Sequence, residues 1–134
     1  DGQFCCLREE FGGNWVGPDD TTHSTLLKIF EGTEVQTLFN WLTDYTVCRS
    51  RIFVLGPGNK TEYRIHRDPC KRLHVPIVTN DTCGFNFYDF DRNLVHEDFL
   101  HADGSIYIVD TTVPHSTQNK DSEDRIHIVC SYYD

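Results

Sequence analysis

The sequence predicts a mainly β domain, a sandwich or barrel with one or two helices packed on its outside. Short runs rich in β-branched and aromatic residues recur after residue 48, each bounded by Gly, Pro, Asn or Asp. One stretch before them shows helical periodicity. No repeat or low-complexity stretch divides the 134 residues. We therefore expect a single domain over residues 1–134, with an irregular N-terminal arm and helix in residues 1–47 and the β core in residues 48–134.

The N-terminal third contains the turn pairs Gly12-Gly13 and Gly17-Pro18, which predict an irregular arm with a short strand at Ser24–Phe30. A helix of about ten residues follows, since Thr33 and Gln36 have the spacing of a capping box. Its apolar face is predicted to comprise Val35, Leu38, Phe39 and Leu42. Six strands are predicted in the remainder of the chain: Arg51–Leu55, Tyr63–Asp68, Leu73–Val78, Gly84–Tyr88, Ser105–Asp110 and Arg125–Tyr132.

The composition limits the class of partner. The formal net charge is −9, from 12 Lys and Arg against 21 Asp and Glu, which argues against nucleic acid and anionic membranes as partners. No apolar run approaches the roughly 18 residues of a membrane span. The six Cys include no C-x-x-C pair, which favours free thiols and a cytoplasmic protein over a partly disulfide-bonded secreted chain.

The predicted strands place several polar side chains on common faces. His66 and Asp68 lie two residues apart, so they share a face with their Cα atoms about 6.6 Å apart. Arg72 and His74 share a face of the next strand, opposite an aliphatic face. One interpretation is that these are solvated faces of an antiparallel sheet. The other is a polar cavity, which the choice of His and Arg over Lys, Glu and Thr favours.

His115 is a third candidate metal ligand because it follows the turn residue Pro114, where rigid backbone can direct a side chain. His66, Asp68 and His115 match the two-histidine, one-carboxylate triad of non-haem Fe(II) enzymes. Arg125 begins the last predicted strand and offers a planar, permanently charged group to the far end of a dicarboxylic cosubstrate. Its alternative role is an ion pair with Glu123 or Asp124.

Five segments together carry a resemblance to a known family: Leu55–Gly58, Tyr63–Asp68, Arg72–Asn80, Val113–Ser116 and Asp124–Val129. In this order and spacing they resemble the aspartyl/asparaginyl β-hydroxylases, a family of 2-oxoglutarate-dependent oxygenases that also includes proline hydroxylases. The resemblance covers residues 55 to 129. It implies a double-stranded β-helix, that is, a cupin-like jelly roll.

The resemblance also implies an activity: an Fe(II)- and 2-oxoglutarate-dependent dioxygenase that uses O2 to hydroxylate a C–H bond, with release of succinate and CO2. Fe(II) would be held by His66, Asp68 and His115. Arg125 would bind the distal carboxylate of 2-oxoglutarate, with Arg72 and His74 also at the cosubstrate. Some family members lack the carboxylate ligand, so the presence of Asp68 makes this chain more similar to the amino-acid hydroxylases.

The expected substrate is a small amino acid or a peptide side chain, with no nucleic acid or membrane as partner and a homo-oligomer left open. Candidate substrate contacts are Arg64, His127 and Trp15. Two other functional classes remain open at this point. One is a different metal-dependent cupin enzyme, an isomerase or a dioxygenase that does not use 2-oxoglutarate. The other is a non-catalytic jelly-roll binding module.

Overall fold

A computed structural model describes residues 3–6, 26, 28–42, 45, 47–58 and 63–133, and these residues are mainly β. A 3₁₀ turn at Lys28–Phe30 and one α-helix, α1 (Glu34–Leu42), precede most of the strands. The strands described are β1 (Gln3–Cys6), β2 (Val47–Leu55), β3 (Tyr63–His66), β4 (Lys71–Val78), β5 (Gly84–Tyr88), β6 (Leu94–Phe99), β7 (Tyr107–Val109), β8 (His115–Thr117) and β9 (Arg125–Tyr132).

The strands form two antiparallel sheets. The larger sheet has the order β1-β2-β9-β4-β7, and the smaller sheet has the order β3-β8-β5-β6. The two sheets pack face to face, since the His74 ring of β4 lies 5.1 Å from the Phe85 ring of β5. Consecutive strands alternate between the sheets through much of the chain, as a double-stranded β-helix requires. The predicted mainly β, cupin-like fold is confirmed.

Helix α1 begins where the sequence predicts, but the hydrogen bonds at its start are not those of the predicted capping box. The Gln36 side chain accepts a hydrogen bond from the backbone N–H of Gly32, at 2.7 Å, one residue before the predicted cap. The Thr33 hydroxyl donates to the Phe30 carbonyl at 2.6 Å. These bonds fix the turn that leads into the helix. Leu42 is fully buried at its end and packs in the core with Leu73 and Cys130 of the larger sheet.

All six predicted strands are present, β5 and β9 with the predicted bounds and the other four with shifted ends, whereas the structure differs from the prediction at residues 28–30 of the arm. Lys28–Phe30 is a 3₁₀ turn rather than part of a strand at Ser24–Phe30, because its backbone closes local bonds such as Glu31 N–H to the Lys28 carbonyl. The strands that the sequence did not predict are β1, β6 and β8. Strand β2 also starts four residues early, at Val47, and includes a bulge between Cys48 and Arg51.

The cysteines and the membrane prediction can be checked in the described residues. Cys70 and Cys83 are free and buried, which confirms the prediction for these two, and Cys48 and Cys130 are buried as well. The Cys83 thiol donates to the Asn119 side chain, so it belongs to a structural hydrogen-bond network. Among the described residues no helix has the length and apolar character needed to cross a membrane.

Candidate active site

A cavity of about 470 Å³ opens between the two sheets. Its walls carry the polar side chains that the sequence placed on common strand faces. The larger sheet contributes Arg72, His74 and Arg125, and the smaller sheet contributes His66 and His115. Phe85 lies between these groups, with the Arg125 guanidinium 5.4 Å from the centre of its ring. This volume lies in the range of about 300–1,000 Å³ that is typical of small-molecule sites.

One end of the cavity has a group of side chains suited to a metal ion. His66 ends β3 and His115 begins β8, and the two residues are paired across the strands. Asp68 follows two residues after His66, just beyond the end of β3. One ligand atom from each of the three residues lies within 4.8 Å of the others, the one such group among the described His, Cys, Asp and Glu residues. Two imidazoles and a carboxylate form a facial donor set for a divalent transition metal.

Backbone carbonyls orient both histidines toward a shared point. His66 Nδ1 lies 2.7 Å from the Arg64 carbonyl, and His115 Nδ1 lies 2.9 Å from the Val113 carbonyl. Because a carbonyl only accepts, each Nδ1 carries a proton, which leaves each Nε2 as the ring nitrogen that can bind a metal. Metal-ligating histidines typically have this second hydrogen bond. Burial lowers the pKa of His115, which favours the neutral, ligating form of its ring.

Arg72 holds the carboxylate of Asp68. Its Nε donates to Asp68 Oδ2 at 3.0 Å, and its Nη1 donates to the hydroxyl of Ser131 on β9. The backbone N–H of Asp68 also donates to the Thr111 carbonyl at 2.8 Å. Burial acts to raise the pKa of Asp68, but the hydrogen bond and charge of Arg72 outweigh it and lower the pKa below its ordinary value. Asp68 is therefore anionic at neutral pH, with Oδ2 occupied by Arg72.

The other end of the cavity is cationic. Arg125 is 1% exposed, and its Nε and Nη2 lie 3.2 and 3.1 Å from the two ring nitrogens of His127. Burial, followed by the charge of Arg125, lowers the pKa of His127 to about 2, so this ring is neutral. Burial also lowers the pKa of Arg125 to about 10, which leaves it charged at neutral pH. Its Nη1 is buried with no hydrogen-bond partner among the described residues.

His74 completes this end of the cavity. His74 lies on β4, the neighbour of β9, and it is 4% exposed. Its Nδ1 is 3.3 Å from Nδ1 of His127. Burial lowers its pKa well below the ordinary value, and the positive charge of Arg125 lowers it further. Its Nε2 is a second buried polar atom without a partner among the described residues. Two unsatisfied buried groups in one cavity indicate a polar ligand, because each is costly to leave unpaired.

The structure brings together six of the nine candidate residues in one cavity lining: His66, Asp68, His115, Arg72, His74 and Arg125. The candidate substrate contacts are placed differently. His127 lies behind Arg125, 1% exposed, where it supports the guanidinium. Arg64 is exposed outside the cavity lining, and its carbonyl orients His66. Trp15 lies outside the described residues.

Sequence reasoning missed Arg49 and Arg51, two further arginines in the cavity wall. They are 8% and 7% exposed. The available signal was the spacing Arg49-Ser50-Arg51 beside an apolar run, although the bulge between Cys48 and Arg51 interrupts the alternation that would place both on one face. Arginine is rarely this buried, and Arg72 and Arg125 of the same wall are buried at least as deeply.

One protein family matches most of the chain. Residues 35–134 match the family model described as aspartyl/asparaginyl beta-hydroxylase. Among solved structures, a cupin domain from Bordetella pertussis Tohama I is similar, with 17% sequence identity and a TM-score of 0.48. The alignment covers 64% of this chain and 81% of that domain. A comparison with curated protein sequences gives no match.

Proposed function

Because the chain belongs to the aspartyl/asparaginyl β-hydroxylase family, we propose that it is an Fe(II)- and 2-oxoglutarate-dependent dioxygenase that hydroxylates a C–H bond of an amino acid or peptide side chain. The observation that carries this proposal is the unpartnered Nη1 of Arg125, buried in the same cavity as the triad of His66, Asp68 and His115. A ligand with a metal-binding end and a carboxylate at its other end would satisfy both groups. 2-Oxoglutarate has this chemistry.

The residues present fit a bound iron. Two imidazoles and an anionic carboxylate are ligands for Fe(II), and a three-residue set leaves positions for a cosubstrate and O2. Bound Fe(II) with 2-oxoglutarate would supply the oxidising chemistry, with O2 consumed and succinate and CO2 released. The protein's part is to present the ligands in fixed orientations, through the Arg64 and Val113 carbonyls and the Arg72 side chain.

Arg125 would recognise the distal carboxylate of the cosubstrate. It is held by His127 from behind and faces Phe85, so its charge acts where little water screens it. A charge-assisted hydrogen bond in such a place is stronger than one in water. His74 Nε2 would provide a further polar contact close to the same carboxylate. These residues would also fix the direction in which the cosubstrate extends from the metal.

Succinate formation tests the proposed function. We expect anaerobically Fe(II)-loaded wild-type protein, then given O2, to convert 2-oxoglutarate to succinate, at an uncoupled rate without substrate and faster when an amino acid or peptide substrate is added. Asp68→Ala is expected to remove this turnover, whereas Asp91→Ala, a substitution in an exposed turn outside the cavity, is expected to retain it.

The rival classes give different results in the same experiment. Tight Fe(II) binding with no succinate, even uncoupled, would contradict 2-oxoglutarate dependence and favour another metal-dependent cupin enzyme. Failure to bind Fe(II), Mn(II) or Ni(II) would contradict an enzyme and favour a binding module. Both measurements use the same protein preparation, so the three outcomes are distinguishable.

A further inference from the structure

The two sheets are open along one side, where each sheet ends in an edge strand. Among the described strands, β7 stands at this end of the larger sheet and β6 at this end of the smaller sheet. A groove of about 590 Å³ lies between these two strands and is here called the edge groove. Phe85 of the active-site cavity packs with Leu100 and Val109 of the edge groove, so a layer of apolar side chains divides the two. The proposed reaction gives this groove no role.

Strand β6 presents an open edge. All six of its residues, Leu94–Phe99, are exposed, and its one neighbour among the described strands is β5. The pairing with β5 is regular from His96 to Phe99. The backbone N–H and C=O groups on the other side of β6 therefore face no described strand. Such an edge is a template for another strand, and β6 contains neither the proline nor the lysine that often prevents this pairing.

The edge groove combines apolar surface with negative charge. Its charged side chains are Asp98 and Asp110, with His96 between the apolar walls, and none of the described lining residues is Lys or Arg. Asp98 Oδ1 lies 3.0 Å from His96 Nε2, and both side chains are more than half exposed. Glu97 adds a further exposed carboxylate on β6. The apolar side chains of the groove include Phe87, Leu100, Ile106, Tyr107, Val109 and Val113.

Charge decides which kind of strand fits this edge. Opposite charges across a strand pair are stabilising, and like charges directly opposite each other are destabilising. Glu97 and Asp98 therefore favour a basic strand and repel an acidic one, so the edge selects among partners. A second copy of this chain would bring the same two residues, which would put four carboxylates into one strand pair. The occupant that matches the edge is a basic strand from another protein.

We propose that the open edge between β6 and β7 binds an extended segment of a partner protein that carries adjacent basic residues between apolar ones. The segment adds to β6 as a further strand, through its backbone N–H and C=O groups. Its basic side chains face Glu97 and Asp98, and its inward apolar side chains pack in the edge groove. The bound segment lies near Val113, whose carbonyl orients His115, and so beside the candidate metal site.

A set of matched peptides tests this inference on the full chain. The probe is the hexapeptide Val-Val-Lys-Lys-Val-Val, which has the length of β6, with a fluorescent label at its N-terminus and an amide at its C-terminus. One counterpart has glutamate in place of both lysines, and another has a methylated backbone that cannot donate hydrogen bonds. Fluorescence anisotropy measures each Kd. We expect the lysine peptide to bind about 10-fold more tightly than the glutamate peptide, because two cross-strand attractions replace two repulsions. Backbone methylation should remove binding.

Two double variants separate the edge from the general acidity of the protein. Glu97→Gln with Asp98→Asn should weaken binding of the lysine peptide about 10-fold, since both ion pairs are lost. Glu123→Gln with Asp124→Asn changes an adjacent exposed pair of the same two residue types outside the edge groove and should bind as wild type does. Bound peptide should also slow hydrogen exchange in residues 94–99 but not in β3, the other edge strand of the smaller sheet. Thermal melting shows whether each variant is folded.

Several results would overturn the proposal. Equal affinity for the lysine and glutamate peptides, or equal weakening in the two double variants, would mean that an acidic protein attracts any cation. Slowed exchange outside β6 would place the peptide elsewhere. Sedimentation that shows self-association of the wild-type chain, competing with the peptide, would assign the edge to a second copy.

The outcome does not depend on the proposed function. None of these measurements uses iron, 2-oxoglutarate or turnover. Absence of peptide binding would therefore leave the dioxygenase proposal in place, and absence of succinate formation would leave the edge groove as a peptide site.

Discussion

The two walls of the cavity are assembled in different ways. On the side of the smaller sheet, His66 and His115 are each directed by one backbone carbonyl two residues earlier in the chain, and Asp68 follows the end of β3. On the side of the larger sheet, His127 contacts both Arg125 on β9 and His74 on β4, and all three are at most 4% exposed. The wall of His66, Asp68 and His115, here called the metal wall, therefore depends on local turns. The wall of Arg125, His127 and His74, here called the cationic wall, depends on the packing of the core.

This difference predicts how the walls respond to substitution. Changes in the metal wall should act on metal affinity and turnover with modest effects on stability, since Asp68 is partly exposed. Changes in the cationic wall should act on cosubstrate affinity and also on stability, because they leave buried polar groups without partners. Arg72 links the two walls, as it belongs to β4 and binds the metal-wall carboxylate.

The largest effect is expected from the metal wall. Asp68→Ala removes one of three candidate ligands and should lower metal affinity by more than the roughly 10- to 100-fold that loss of a supporting hydrogen bond costs. Calorimetric titration with Mn(II) measures this affinity. Asp91→Ala provides the control for loss of an exposed carboxylate. Equal Mn(II) affinity in Asp68→Ala and wild type would show that the metal wall is assembled from other residues.

Arg125→Gln should act on the cosubstrate rather than the metal. We expect the Kd of 2-oxoglutarate to rise about 10- to 100-fold, because a charge-assisted hydrogen bond to the distal carboxylate is lost. The matched ligand is 2-oxopentanoate, which has the same chain length but a methyl group in place of that carboxylate. Wild type should bind 2-oxoglutarate more tightly than 2-oxopentanoate, and Arg125→Gln should bind both alike. If Arg125→Gln still binds 2-oxoglutarate more tightly than 2-oxopentanoate, the distal carboxylate binds to a residue other than Arg125.

Arg72→Lys shows which wall Arg72 serves. Lysine retains the charge but cannot hold Asp68 and Ser131 with separate N–H groups in the same plane. We expect about 10-fold weaker Mn(II) binding, the lower end of the cost of a supporting interaction. The Kd of 2-oxoglutarate, measured at saturating Mn(II), should change less. The opposite result, with cosubstrate affinity lost and metal affinity retained, would assign Arg72 to the cosubstrate alone.

The smallest effect is a pH dependence of stability that originates in the cationic wall. Burial lowers the pKa of His127 to about 2 in the folded protein, whereas the unfolded chain has an ordinary value near 6.5. As the pH falls, the unfolded state therefore binds a proton on His127 before the folded state does. The contribution of His127 to stability is full above pH 6.5 and is lost as the pH falls. Between pH 6 and pH 5 the free energy of unfolding should drop by up to about 1.4 kcal/mol for this residue.

Urea unfolding at a series of pH values measures this slope. His127→Gln should flatten it, although the variant is expected to be less stable at pH 7 because Arg125 loses its partner. His96→Gln is the control, since this histidine is largely exposed. An unchanged slope in His127→Gln would mean that the acid sensitivity comes from other buried groups.

Much of the metal wall could be predicted from the sequence, because its determinants are close together in the chain. His66 and Asp68 are two residues apart, and Pro114 marks the turn before His115. The structure adds the pairing of His66 with His115 across β3 and β8, which no local pattern encodes. Strand β8 itself has three residues, directly after Pro114, and was not among the predicted strands.

The cationic wall was harder to predict because its contacts join distant strands. Arg125 was predicted as a site residue, but the support that it receives from His127 and His74 depends on the register between β9 and β4. Arg49 and Arg51 were missed because the bulge in β2 interrupts the alternation from which strand faces are inferred. Strand β6 was missed for a different reason: its six residues are all exposed, so it has no buried face to give a pattern.

The central claim is that the metal wall and Arg125 bind opposite ends of one molecule. The direct measurement is calorimetric titration of 2-oxoglutarate into wild-type protein with and without Mn(II), under argon. We predict binding to the Mn(II)-loaded protein that weakens at least about 10-fold when the metal is removed, since one end of the ligand then loses its partner. Equal affinity in the two forms, or no binding to the metal-loaded protein, would contradict the claim.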